Sequence, residues 1–176
     1  MKKSCLILVM IGFLFPGLSE IQAQTEQTKP NQVELMKQFI GNWKAEWTDT
    51  ILFWESKAFG TGLDCYYNYT LTKNNKIVLE GRQLWGYDRN FDKYILATLE
   101  TGRDIWLLAF WFTSNNKYIM TPLPDISNPD KAFFKVEGEI KSPDAFTETW
   151  ILNGKVFDIY NYCNWVDLGK NDNHHY

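Results

Sequence analysis

Trp43, Ala45 and Trp47 alternate with Lys44, Glu46 and Thr48, so one side of this stretch is apolar and the other polar. A period of two marks a strand with one dry and one wet face. Further runs of strand length follow at 65–72, 76–85, 93–101, 105–113, 117–121, 132–140, 145–152 and 155–165. Short groups with turn chemistry separate them: Lys73-Asn74-Asn75, Asp88-Arg89-Asn90, Thr101-Gly102-Arg103, Ser114-Asn115-Asn116, Ser142-Pro143-Asp144 and Asn153-Gly154. Asn153-Gly154 is the most specific, because a two-residue primed turn needs positive φ at both positions and this pair adopts it at little cost. The segment 122–130 holds Pro122, Pro124 and Pro129 and is expected to form an ordered loop at one rim.

Ahead of the first strand the period changes. Val33, Leu35, Met36, Phe39 and Ile40 fall near helical spacing, with Asn31 placed to cap and Gly41 placed to stop the turn in a left-handed conformation. Two turns of helix are marginal in water, so their apolar face must pack on something, and the open end of a sheet is the nearest candidate. Nine or ten antiparallel strands in series leave a sandwich or a barrel. Sequential hairpins favour an up-and-down barrel, which also removes exposed sheet edges. The expected fold is therefore all-β, one domain over 33–168, with a polar lead-in at 24–32 and a polar tail at 169–176.

The first 23 residues change where this domain is expected to work. Lys2 and Lys3, an apolar run over 5–15, the Pro16-Gly17 break and Ala23 read as a secretory signal peptide, which implies a periplasmic or secreted protein. The run is too short to span a bilayer, and Cys5 precedes most of it, whereas a lipid-modified cysteine follows such a run. Without the leader, 16 basic residues face 20 acidic ones, a balance of −4. No basic footprint for nucleic acid or an anionic membrane surface is present. Cys65 and Cys163 remain, either as two buried thiols or as a disulfide that barrel closure would bring together.

The helix running into FIGNWKAEW, followed by VLEGRQLWGYDRNFDKYILATL, resembles lipocalin-like, calycin-type barrels of exported bacterial proteins, many without a known role. The Gly-x-Trp at Gly41 and Trp43 is the part shared with lipocalins in general, and GRQLWGYD is the more specific part. The resemblance implies a tryptophan packed across a closed barrel end, the short helix sealing that end, and a ligand cavity at the other. Burying such an indole is worth roughly 2–3 kcal/mol.

Eight tryptophans and nine tyrosines are enough to line a pocket, although the same rings also build ordinary β cores. Along 66–72 and 105–113 both faces carry large side chains, so one face must look inward and the other onto the helix or a partner. Trp106, Trp111, Tyr67 and Tyr69 are the candidate ligand contacts. Glu80 and Arg82 share a strand face with Val78 and Leu84: turned inward, Arg82 would hold a carboxylate head group, and turned outward the two are a solvated surface couple. Arg103, beside Gly102, is expected at a rim, and Glu80 and Glu100 are expected on outward faces. No catalytic residue emerges, since GxSxG, CxxC and any histidine within the strands are lacking. His174 and His175 sit in the tail, so no metal or haem ligand set is expected and no cofactor is assigned. The expected partner is a small apolar or amphipathic ligand; the alternative is a protein-interaction or homodimerising module with a filled barrel.

Overall fold

A computed structural model, describing residues 29–165, has ten strands hydrogen-bonded in a closed antiparallel ring. The leader at 1–23, residues 24–28 of the lead-in, residues 166–168 and the tail with His174 and His175 lie outside the described residues. The strands are β1 (Gly41–Glu46), β2 (Thr50–Phe59), β3 (Gly62–Leu71), β4 (Lys76–Asp88), β5 (Lys93–Glu100), β6 (Trp106–Phe112), β7 (Lys117–Pro122), β8 (Phe134–Ser142), β9 (Ala145–Leu152) and β10 (Lys155–Asn164). Each pairs with its neighbours in sequence, and β1 closes the ring on β10 through Trp43 opposite Asn164 and Ala45 opposite Tyr162. The up-and-down topology expected from sequential hairpins is thus the one observed. β2 is the strand the alternation does not reveal: Ile51, Leu52, Phe53 and Trp54 are apolar at four consecutive positions, so the period of two is masked.

Among the described residues one α-helix, α1 (Gln32–Met36), precedes β1 and tightens into a 3-10 turn over Lys37–Phe39. Asn31 caps it, its side chain accepting from the Glu34 N–H at 3.2 Å. Met36 and Phe39 are buried, whereas Ile40 is exposed and extended. Gly41 does not end the helix in the left-handed helical region; it opens β1 at φ 139°, which L-residues rarely adopt. Gln32, a polar residue within the apolar pattern, is buried because its side-chain amide bonds both the Phe112 N–H (2.7 Å) and the Phe112 carbonyl (3.0 Å). That pair of bonds fastens α1 to the end of β6.

Trp43 points inward, donates its indole N–H to the Phe39 carbonyl at 2.9 Å and meets Phe146 edge-on at 4.8 Å. The Phe39 ring in turn packs against Trp54, Trp85, Phe110, Phe112, Tyr118 and Phe146, contributed by β2, β4, β6, β7 and β9. The half of the barrel nearest α1 is therefore filled with rings, each pair in tilted, stacked or edge-to-face contact.

Strand parity decides the cysteines. Cys65 lies on the inner face of β3, fully buried, and Cys163 lies on the outer face of β10, exposed. A side chain inside and one outside the same sheet cannot be bridged without rebuilding the backbone. Both thiols are free, so the disulfide alternative does not hold, and of the two thiols expected to be buried only Cys65 is.

Candidate functional site

Opposite the packed half, the barrel encloses a cavity of about 240 Å³. Phe39, Trp54, Trp85 and Phe110 form its base, and Leu52, Leu108, Met120, Phe134, Trp150 and Tyr162 its apolar wall. Arg103, Trp106, Leu152 and Phe157 stand at the mouth, near the β5–β6 and β9–β10 connections. A register shift between Val156 and Asp158 interrupts the β9–β10 ladder at Phe157, which breaks strict alternation there.

Two carboxylates reach this cavity by the same construction. On one wall Tyr67, Gly81 and Glu100 stand side by side on β3, β4 and β5. On the other, Tyr118, Gly138 and Glu148 stand side by side on β7, β8 and β9. In each row the tyrosine ring lies over the glycine of the middle strand and donates its hydroxyl to the glutamate beyond, Tyr67 to Glu100 at 2.7 Å and Tyr118 to Glu148 at 3.1 Å. The glycines are required by close approach: a Cβ at Gly138 would lie 1.9 Å from the Tyr118 ring, and one at Gly81 would lie 2.5 Å from the Tyr67 ring.

The two glutamates differ in their remaining partners. Glu100 is held by the Arg103 guanidinium at 2.9 Å, close to the mouth. Glu148 receives only neutral donors: Tyr118, the Trp150 indole at 3.0 Å and the Tyr162 hydroxyl at 3.1 Å. Burial pushes its pKa up, and the three donors oppose that shift without cancelling it. Burial also raises the Tyr67, Tyr69, Tyr118, Tyr160 and Tyr162 phenols, which therefore remain protonated donors at any ordinary pH. A shorter polar relay crosses β4 and β5, where Trp85 donates to Gln83 at 3.1 Å and Gln83 donates to Thr98 at 3.2 Å.

Of the residues singled out in the sequence, Tyr67, Tyr69 and Trp106 line the cavity, and Arg103 takes the expected rim position. Trp111 does not: it lies between the inward Phe110 and Phe112 on β6, faces out, and carries the Lys93 ammonium 3.6 Å above its ring. Arg82 also faces out, bonded to Asp64 at 2.8 and 2.5 Å, so the surface-couple reading of that strand face holds with Asp64 as the partner. Glu80 stays outside near Tyr66, whereas Glu100 turns inward, against expectation, because β5 alternates through Tyr94, Leu96 and Thr98 to place it there. Gly41 and Trp43 belong to the packed end and not to the cavity. Sequence reasoning missed Glu148, Trp150 and Tyr162. Their signal was the inward glycines Gly81 and Gly138, since a glycine inside a strand marks a place where something must come close.

Chemically the site can solvate one half-buried carboxylate, neutralise a second at its mouth, and surround a guest with aromatic rings. Among the described residues no three His, Cys, Asp or Glu side chains converge to hold a metal ion. No described helix is long and apolar enough to cross a membrane. Comparison with protein-family models gives no match, and comparison with curated proteins gives none either.

Proposed function

We propose that this chain is an exported, lipocalin-like (calycin-type) binding protein that holds a small apolar or amphipathic molecule inside its barrel. In this reading α1 and Trp43 seal one end and the ligand enters at the other. The observation that carries the proposal is the cavity of about 240 Å³, apolar over most of its wall and supplied with a few convergent polar groups. An apolar cavity of about 150 Å³ already takes up benzene, so there is room for a guest somewhat larger than one aromatic ring. Native mass spectrometry of the mature chain, purified without detergent, is expected to show a bound small molecule beside the polypeptide. A bare polypeptide mass at every gentle desolvation setting counts against it.

One observation favours a second role on the outer surface. Leu84 and Leu107 flank Ala97 across β4, β5 and β6, and Leu99 lies opposite Arg82, three exposed leucines on one sheet face. Such a face suits a protein partner or a second copy of the chain. Sizing over a range of concentrations tests the second copy: a constant monomer excludes it.

A further inference from the structure

We infer that the cavity selects an organic ammonium ion with a small apolar or aromatic body, Glu148 serving as its counter-ion, an inference that rests on the ligand-binding reading above. The ionisable side chains on the cavity wall, tyrosines aside, are Glu100, Arg103 and Glu148. Arg103 is already bound to Glu100, which leaves the wall with one carboxylate that has no cationic partner among the described residues. Its Oε2 accepts from Trp150 and Tyr162 and its Oε1 from Tyr118. A carboxylate offers about four acceptor sites, so one on Oε1 stays open.

Three donors, one of them an indole that cannot accept, hold the carboxylate in place as an acceptor. Neutral donors lower the cost of burying a charge but do not neutralise it. A guest ammonium supplies both the missing charge and the missing donor. Trp54, Trp150 and Tyr162 line the same cavity and give apolar surface to the rest of the guest. An anionic guest meets the reverse conditions. It would face two carboxylates, and the one guanidinium is engaged at the mouth.

The test uses three probes of one shape at neutral pH: phenethylamine, phenethyl alcohol and phenylacetate, each titrated calorimetrically into the mature wild-type protein. The amine is expected to bind about tenfold or more tighter than the alcohol, as an ion pair replaces a hydrogen bond from an uncharged donor, and phenylacetate weakest. In Glu148→Gln the amine's advantage over the alcohol should collapse. Glu34→Gln, which removes the same charge from the exposed face of α1, should leave the advantage intact. Equal binding of amine and alcohol by the wild type, or preference for phenylacetate, overturns the ammonium inference and leaves the cavity reading standing. Failure of all three probes to bind overturns both. The wild-type order decides the question even if Glu148→Gln does not fold.

Discussion

Replacing Gly138 by alanine tests the Tyr–Gly–Glu construction directly. The new methyl carbon would lie 1.9, 2.1 and 2.3 Å from three atoms of the Tyr118 ring, far inside van der Waals contact. Tyr118 is 2% exposed, so the ring has no free volume into which to move. Overpacking of this kind costs about 1–3 kcal/mol. Displacing the ring also removes one of three bonds to the half-buried Glu148 carboxylate, itself worth about 1–3 kcal/mol. The two losses share one ring and overlap, so about 2–4 kcal/mol is expected, a large part of the roughly 5–15 kcal/mol that stabilises a typical domain. Urea unfolding followed by tryptophan fluorescence measures it. Gly86→Ala is the control, since no heavy atom lies within 4 Å of its Cβ position and its backbone is ordinary; its effect should stay within about 0.5 kcal/mol. The decisive comparison places Gly138→Ala in a Tyr118→Ala background, where its cost should fall below about 1 kcal/mol. An equal cost in both backgrounds would refute the idea that the glycine exists to admit the ring.

Three further expectations follow from the same geometry. Because burial raises the folded-state pKa of Glu148 above its ordinary 4.5, the native state holds this proton more tightly than the unfolded chain does. Its contribution to stability is therefore present at acid pH and is lost as pH rises through the raised value; the stability difference between wild type and Glu148→Gln should decline across that window, and a difference that is flat or grows would contradict it. Burial pushes the Cys65 thiol up to about 12, and Cys163 is exposed, so a thiol reagent added without reductant to the chain from residue 24 onward should modify one cysteine in the native state and two after denaturation; finding none in denaturant would mean that they pair after all. Trp106→Ala should weaken guest binding measurably, whereas Trp111→Phe and Arg82→Gln, both on the outer face, should leave it unchanged, with Arg82→Gln costing at most about 1 kcal/mol of stability; calorimetry of the three variants separates the faces.

Period and turn chemistry are local properties, and they were sufficient for the barrel. Alternation at Trp43, Ala45 and Trp47 is enough to mark the inward face of β1, and each turn group, from Lys73-Asn74-Asn75 to Asn153-Gly154, does connect two antiparallel strands. β2 escaped because its inward Leu52 and Trp54 are interleaved with outward Ile51 and Phe53, so burial and polarity part company along one strand. β6 has the same difficulty: Trp106 and Trp111 stand on opposite faces of it, and both faces are apolar, so chemistry alone could not tell which indole looks inward.

What the chain determined by itself was nine of its ten strands, the turns among β3 to β10, the capped helix and an abundance of rings. Which glutamate meets which tyrosine was decided only by closure. Tyr118 and Glu148 are 30 residues apart, as Tyr67 and Glu100 are 33 apart, and each pair meets only across a middle strand whose register sets a glycine between them. Register is a property of paired strands, and a slip of one residue would turn every one of these groups to the outside.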